Sequence, residues 1–205
     1  MSSASPRIFT IISVDPGETN LAVCFLSFNE GEEETKIIHI DHYLLSLGDE
    51  TPGAVLESRI LSTCIGFKHI LEEHRQKHKA DKMFLVVEQQ FGNSLMESIA
   101  AAILTLGALS GFGIKSRSPT ARYKWLQKHL GVKYNGKTKS WRKNKSIEIA
   151  SKIEQVLKPD ERVFGGNTEE TKLDDCADAF LQGLKEIGSM FGDVTGILKE
   201  AAKLS

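Results

Sequence analysis

The chain has 205 residues, of which 40% are hydrophobic and 26% charged, and its net charge is −1, values ordinary for one soluble globular domain. No apolar run approaches the ~20 residues of a membrane span, and the N-terminal residues lack the features of a secretory signal or a transit peptide. Three widely spaced cysteines indicate reduced thiols, so these features exclude a secreted or membrane protein and predict an intracellular one.

Charge is distributed unevenly along the chain. Residues 114–147 contain 11 Lys or Arg and no acidic residue, whereas the remainder has 15 basic and 27 acidic residues. Solvated helix faces usually mix both signs, so a charged surface without a partner is the weaker interpretation. A polyanion such as nucleic acid is the better match for this tract.

The first part of the chain predicts three strands joined by tight turns. Residues 7–14 and 21–29 are apolar runs, and Pro16 and Gly17 supply turn residues between them. An acidic turn then leads into a third strand at about 35–44. These strands form an antiparallel meander.

The middle of the chain alternates helices and strands. Pro52 opens a long helical pattern with regularly spaced apolar residues. Residues 83–88 form an apolar run typical of a central strand, and Asn93 is a candidate N-cap for a second helix. Residues 114–116 predict one more short strand.

The last part of the chain is helical. Helices are predicted at 119–130, 143–157 and 173–187, and a basic loop is expected at 131–141. Residues 189–205 predict a short C-terminal helical tail.

The order of these elements is three meandering strands, helix, strand, helix, strand and then helices. It predicts an α/β protein with the RNase H-like fold, a mixed five-stranded sheet with an antiparallel three-strand meander and flanking helices. We expect a single domain over residues 1–205, with a flexible N-terminus at 1–6.

Four acidic residues lie where catalytic carboxylates would lie in this fold. Asp15 and Glu88 each end an apolar strand, and Asp175 and Asp178 share one face at the start of a helix. Each acid alone also fits a turn, a strand exit or a helix N-terminus. Together they predict a site for divalent cations, because two-metal phosphodiester hydrolysis uses such ions and Mg²⁺ prefers carboxylate oxygens. Spacing alone does not choose between Asp174 and Asp175.

Three sequence blocks resemble the RuvC-like Holliday junction resolvases, particularly the poxvirus-type and mitochondrial-type branch. The blocks are Ser13–Ala22 (SVDPGETNLA), Val86–Gln90 (VVEQQ) and Lys172–Ala179 (KLDDCADA), and the resemblance spans about residues 8–188. It implies a homodimer that nicks opposing strands of a four-way DNA junction.

The resemblance also implies which residues form the site. It selects Asp175 over Asp174, and it assigns two Mg²⁺ ions (Mn²⁺ is possible) per active site to Asp15, Glu88, Asp175 and Asp178. These four acids are therefore the expected catalytic residues as well as the expected metal ligands.

A lysine near the scissile phosphate is a further implication of the resemblance. The candidates are Lys124, Lys143 and Lys145, of which Lys145 best matches the family's position and Lys124 is the next choice. Most of the basic tract would contact DNA phosphates, which position the DNA without specifying its sequence. The residues expected to do so are Arg117, Arg122, Lys133, Lys137, Lys139, Arg142 and Lys143.

Aromatic and histidine side chains offer further candidates. Tyr134 and Trp141 could stack on unpaired bases, although loop aromatics are as often packing anchors. His69, His74 and His78 lie on the first long helix, and two of them could share a metal-binding face. Because no cysteine lies nearby, we expect these histidines to face solvent instead.

The helix that follows the Glu88 strand forms the dimer interface in the resembled family. Residues 98–109, which are rich in small side chains, are therefore the expected interface. Ordinary packing of this helix on the sheet is an equally good interpretation of the same residues.

We predict a Holliday junction resolvase, with two alternatives that remain enzymes. One is the same fold acting on RNA–DNA hybrids or flaps, and the other is an actin-like ATPase, whose phosphate loop also begins Asp-x-Gly-x-x-Asn. The chain length and the basic tract disfavour the ATPase. A junction-binding protein without activity is disfavoured because all four acids are present.

The branch resemblance and the lack of a transit peptide favour a large DNA virus over a mitochondrion as the source. A viral protein would act in the host cytoplasm. The nucleus and the mitochondrion remain open.

Overall fold

A computed structural model describes residues 7–17, 20–29, 36–46, 56–158, 173–192 and 194–204. The strands in this part of the chain are β1 (Ile8–Pro16), β2 (Asn20–Asn29), β3 (Lys36–Ser46), β4 (Lys82–Glu88) and β5 (Gly113–Arg117). The helices are α1 (Leu56–Lys77), α2 (Ser94–Leu109), α3 (Pro119–Leu130), α4 (Lys139–Leu157), α5 (Leu173–Met190) and α6 (Thr195–Lys203). The flexible N-terminus predicted at 1–6 and the helix start predicted at Pro52 lie outside the described residues.

The strands form one sheet in the order β3-β2-β1-β4-β5. β1, β2 and β3 pair antiparallel, and β4 and β5 add in parallel on the other side of β1. The predicted mixed sheet with a three-strand meander is therefore confirmed. β1 lies in the centre, and every side chain from Phe9 to Val14 is buried, which explains why its sequence is mostly apolar, with Thr10 and Ser13 as the polar exceptions.

Helices cover both faces of the sheet. Successive strand residues point to opposite faces, so Ile12 and Phe25 pack on the side of α1 and α2, whereas Ile11 and Leu26 pack on the side of α5. α4 packs beside α5, and α6 packs against α3 and α4. The C-terminal tail is thus part of the helical layer around α5.

α5 lies unusually close to the sheet. A Cβ atom at Gly183 would stand 2.6 Å from Cδ1 of Leu26 and 3.1 Å from Cβ of Ser13. The neighbouring Gln182 donates a hydrogen bond to the Ser13 hydroxyl at 3.2 Å. Glycine at position 183 therefore lets α5 sit directly on β1 and β2, and this close approach holds the first turn of α5 beside the end of β1.

One helix begins earlier than the sequence pattern predicts. α4 starts at Lys139 rather than at 143, because the Thr138 hydroxyl accepts a hydrogen bond from the backbone N–H of Trp141 at 3.2 Å and caps the helix. The basic loop is correspondingly shorter than predicted. In the part of the chain that the structure describes, no helix combines the length and apolar character needed to cross a membrane.

Candidate active site

The four predicted acids meet at one end of the sheet. Asp15 lies at the end of β1 and Glu88 is the last residue of β4, and these adjacent strands run parallel, so both ends reach the same edge. Asp175 and Asp178 come from the first turns of α5. These four residues and Asp174 line a single cleft; we call the five side chains the acid cluster.

A buried arginine holds two members of the acid cluster. Arg122 on α3 is only 2% exposed. Its Nη1 atom lies 2.8 Å from Oε2 of Glu88, and its Nη2 atom lies 2.8 Å from Oδ2 of Asp178. Nη1 also donates to the main-chain oxygen of Asp178 at 3.1 Å. One guanidinium group thus joins the strand acid to the helix acid.

The position of Arg122 differs from its predicted role as a DNA phosphate contact. Its guanidinium is almost fully buried at the base of the cleft and already paired with Glu88 and Asp178, so it is not free to pair with a DNA phosphate. Burial lowers the pKa of the Arg122 guanidinium, but the charges of Asp178 and Glu88 outweigh burial and raise it. The group is therefore a permanent cation inside the acid cluster.

The acids raise one another's pKa values. Burial, followed by repulsion from Glu88 and Asp178, raises the pKa of Asp15 well above its ordinary range. Burial is also the main cause of the raised pKa values of Glu88, Asp175 and Asp178, although Arg122 works against the shift at Glu88 and Asp178. The cluster thus holds its negative charge at a cost in electrostatic energy.

The donor set suits a hard divalent cation. Five carboxylates share the cleft, and Arg122 and Lys143 form ion pairs with four of them, so the acids outnumber the cations that pair with them. Oδ1 of Asp178 is buried and makes no hydrogen bond of normal geometry within the described residues, although the Ser146 side chain lies close enough to interact with this carboxylate. Carboxylate oxygens in excess of their protein partners are the ligands that Mg²⁺ and Mn²⁺ take.

The three candidate lysines lie in different surroundings. Lys143 on α4 lines the cleft, forms an ion pair with Asp174 and lies 3.8 Å from Oδ1 of Asp175. Lys145 instead pairs with Glu148 at 2.7 Å and lines a separate cavity.

Lys124 is an exposed residue of α3 outside the lining of the cleft. Of the three candidates, Lys143 is the one beside the acids. The α-helical period explains the difference, because Lys143 and Lys145 are two residues apart and point in different directions.

The basic side chains predicted to contact DNA divide into two groups. Lys139, Arg142 and Lys143 line the same cleft as the acids, and Lys133 and Lys137 are exposed in the segment that leads to them. Arg117 is different. Its Nε and Nη2 atoms donate to the buried carboxylate of Glu186 at 3.0 and 3.1 Å, so its guanidinium is already engaged within the protein.

The aromatic candidates support the wall of the cleft. Tyr134 is 5% exposed and packs against Tyr123 and Trp141, with ring centroids 4.5 and 5.8 Å apart. The Tyr123 hydroxyl accepts from Nη2 of Arg122 at 3.3 Å. Tyr134 is therefore a packing residue rather than a surface for stacking bases, and Trp141 is half-buried beside it.

One of the three candidate histidines, of which His69 and His74 lie on α1 and His78 just after it, is not at the surface. His69 is exposed as predicted, but His74 is fully buried, and the prediction that it faces solvent is wrong. His74 continues the buried stripe of Phe67 and Leu71, at spacings of seven and three. That spacing was the available signal in the sequence.

The helix predicted as a dimer interface packs on the sheet with one face. Ile99, Ala100, Ile103 and Gly107 of α2 are buried, which matches the alternative interpretation for this face. Leu109 at the end of the helix is 82% exposed.

Comparisons with known proteins agree with the geometry. The sequence model of the family described as Poxvirus A22 protein matches residues 9–189. No curated protein matches the chain.

The fold is similar to that of two solved proteins. The fowlpox virus resolvase, in a structure with its substrate Holliday junction DNA, has a TM-score of 0.52 and 22% identity over 88% of this chain and 98% of that chain. RuvC from Thermus thermophilus has a TM-score of 0.51 and 15% identity over 87% of this chain and 96% of that chain. These likenesses confirm the predicted RNase H-like fold.

Proposed function

The chain belongs to the Poxvirus A22 protein family, and we propose that it is a Holliday junction resolvase, a metal-dependent endonuclease that makes paired nicks in four-way DNA junctions. One observation carries the proposal: the acid cluster and the basic side chains Lys139 and Arg142 line the same cleft. A fowlpox virus resolvase of the same fold has been solved with Holliday junction DNA as its substrate, which supports this choice of substrate.

The acid cluster is proposed as the catalytic centre. Two Mg²⁺ or Mn²⁺ ions held by Asp15, Glu88, Asp175 and Asp178 would supply an activated water and stabilise charge on the attacking and leaving oxygens of the phosphodiester. The excess of carboxylate oxygens and the buried Oδ1 of Asp178 support this assignment.

Arg122 positions the acids. It binds one oxygen of Glu88 and one of Asp178, which fixes the orientation of both carboxylates and leaves their other oxygens available. Its role is to keep two acids from different elements in one arrangement before DNA binds.

Lys143 is proposed as the lysine that contacts the scissile phosphate. It already lies beside Asp174 and Asp175, so a small rotation of its flexible side chain would direct its ammonium group at a phosphate in the cleft. Lys139 and Arg142 would hold the neighbouring phosphates, and Lys133 and Lys137 would extend this contact along the DNA.

We propose a homodimer, in which a second copy supplies the second nick. The exposed apolar side chains of Leu61 and Ile65 on α1, 61% and 58% exposed, and Leu109 on α2 form the candidate contact surface. Light scattering of the purified protein measures the mass, and Leu61→Glu is expected to shift it toward the monomer.

The direct test uses a four-way junction labelled on each strand in turn. With Mg²⁺ the wild-type protein should nick two opposing strands at symmetric positions, and without divalent cations it should bind the junction and leave it intact. RNA–DNA hybrids and flaps are assayed in parallel, because a preference for either would assign the activity to that alternative. Absence of cleavage on all substrates contradicts the proposal.

Membership of a poxvirus family favours the cytoplasm of an infected cell as the place of action. Immunofluorescence of a tagged copy checks it.

A further inference from the structure

A second group of metal-ligating side chains lies away from the acid cluster. Oδ2 of Asp41 on β3 lies 3.0 Å from Nδ1 of His74 and 3.1 Å from Nε2 of His78. One ligand atom from each of the three residues lies within 4.8 Å of the other two. We call these three side chains the histidine cluster.

The histidine cluster is held by the fold. His74 is fully buried on α1, and its ring stacks on Phe25 of β2 with centroids 4.1 Å apart. His78 follows the end of α1, where its backbone N–H bonds the carbonyl of His74 at 2.8 Å. Asp41 faces them from the edge strand. Two of the three ligands are therefore placed by the same helix end, and the third by the sheet.

The cluster is separate from the candidate active site. Asp41 has the same strand parity as Tyr43, which packs in the core layer beneath α1 and α2. The acid cluster lies toward α5, on the other face. The sheet thus stands between the two groups, and a metal in one is not shared with the other.

The donor types and distances suit zinc. Two imidazole nitrogens and one carboxylate oxygen form a common Zn²⁺ ligand set, and bonds of ~2.0–2.1 Å in a tetrahedral site put ligand atoms ~3.3 Å apart. The separations of Oδ2 of Asp41 from the two histidine nitrogens, 3.0 and 3.1 Å, are within a few tenths of an ångström of that value, and the three ligand atoms lie within 4.8 Å of one another. The ion would replace the direct contacts of Asp41 with the two imidazoles, with water in the fourth position.

We propose that Asp41, His74 and His78 form a structural zinc site that ties the edge strand β3 to the C-terminal end of α1. Such a site has no part in the hydrolytic chemistry proposed above. Its ligands also differ in kind from those of the acid cluster, because imidazole favours Zn²⁺ and carboxylates alone favour Mg²⁺. The chain would then carry two metal classes on opposite faces of one sheet.

Zinc binding is measured on the full chain by native mass spectrometry and isothermal titration with ZnCl₂, in a buffer containing millimolar Mg²⁺ to occupy the acid cluster. We expect one Zn²⁺ per chain. At a free Zn²⁺ concentration 100 times Kd, the melting temperature should rise by roughly 5–10 °C.

Two ligand variants and two controls decide the matter. His78→Gln and Asp41→Asn change partly exposed side chains and should lose the bound ion and the thermal shift. His69→Gln, on the exposed side of the same helix, and Asp15→Asn, in the acid cluster, should retain both.

The proposal is overturned if the wild-type protein binds no more zinc than His78→Gln. It is also overturned if Asp15→Asn, rather than the ligand variants, removes the ion. Circular dichroism of each variant verifies that it is folded before zinc is added.

Discussion

The acid cluster and the histidine cluster lie on opposite faces of the same sheet, and the pKa values of their carboxyl groups are shifted in opposite directions. In the acid cluster, burial and mutual repulsion raise the pKa values of Asp15 and Glu88. In the histidine cluster, the hydrogen bond from His74, assisted by the charge of His78, lowers the pKa of Asp41. The acid cluster is destabilised by its own charge, whereas the Asp41 carboxylate of the histidine cluster is stabilised by its two histidine neighbours.

The difference shows that the two clusters depend on a bound cation to different degrees. The contacts of Asp41 with His74 and His78 contribute to folding before any metal binds, and the proposed zinc would add to them. In the acid cluster five carboxylates share two paired cations, and burial and mutual repulsion disfavour the ionised form, so the fold maintains it at the expense of stability. Retaining such a group is typical of a catalytic site, and the four experiments below test that contrast from the largest expected effect to the smallest.

Asp15→Asn should reduce junction cleavage by at least about 10³-fold, more than the 10–100-fold lost when a group that only supports a metal ligand is removed. Junction binding should remain, because the basic residues are unchanged. Gel assays of cleavage and binding measure both. Asp41→Asn serves as the matched control, and equal loss of cleavage in that variant would break the distinction between the two clusters.

Arg122→Met should lower the free energy of unfolding by about 3–5 kcal/mol, because it leaves Glu88 and Asp178 buried without their shared cation. Urea denaturation at pH 7 measures the loss. The exposed Lys124→Met on the same helix should change stability by less than about 0.5 kcal/mol. A loss below about 1 kcal/mol for Arg122→Met would mean that Arg122 does not hold the acid cluster together.

Lys143→Ala should reduce the cleavage rate by about 10²-fold, the scale of losing one charge donor to a reacting group. Lys145→Ala removes a lysine two residues away on the same helix and should leave the rate within a few-fold of wild type. Single-turnover cleavage at saturating enzyme measures both. A larger loss of rate for Lys145→Ala than for Lys143→Ala would instead assign the contact with the scissile phosphate to Lys145.

The pH dependence of stability should have opposite signs at the two clusters. The raised pKa of Asp15 means that the native state keeps protons that the unfolded chain releases near its ordinary carboxyl pKa of ~4, so this contribution to stability falls as pH rises from about 4 through the raised value. The lowered pKa of Asp41 gives a contribution present above that ordinary value and lost as pH falls through the lowered one.

Thermal melts of metal-free wild type and of each variant between about pH 2 and 8 measure these contributions. Relative to wild type, Asp15→Asn should gain about 1 kcal/mol at pH 8, and Asp41→Asn should lose stability there. Mg²⁺ should stabilise wild type at pH 8 and have little effect on Asp15→Asn. If Mg²⁺ stabilised wild type and Asp15→Asn equally, Asp15 would not be a metal ligand.

Much of the fold was predictable because the strands carry strong signals. β1 is central and buried on both faces, so its sequence is an apolar run that ends sharply at Asp15. The order of strands and helices then placed Glu88 and the α5 acids at the same edge. The choice between Asp174 and Asp175 came from the resemblance, because neighbouring helix positions both lie near Asp178.

The partners of the charged side chains were not predictable to the same degree. Periodicity indicates that a helix has a buried face, but it does not say that Arg122 lies on it opposite Glu88, because that depends on how α3 is placed against the sheet. Lys145 fitted the sequence pattern better than Lys143, yet the rotation of α4 directs Lys145 to Glu148. The spacing of His74 from Phe67 and Leu71 indicated a buried position on α1. Because histidine is polar, it was nevertheless predicted to face solvent.

The close contact between α5 and the sheet at Gly183 affects the position of the acids at the start of that helix. Asp178 lies five residues away, about 7.5 Å along the axis, and a Cβ atom at Gly183 would crowd Leu26 and Ser13. The end of the Leu26 side chain can rotate away from a methyl group, but a larger side chain would press α5 away from the sheet. The placement of the α5 acids beside Asp15 and Glu88 therefore depends on the size of a residue outside the acid cluster.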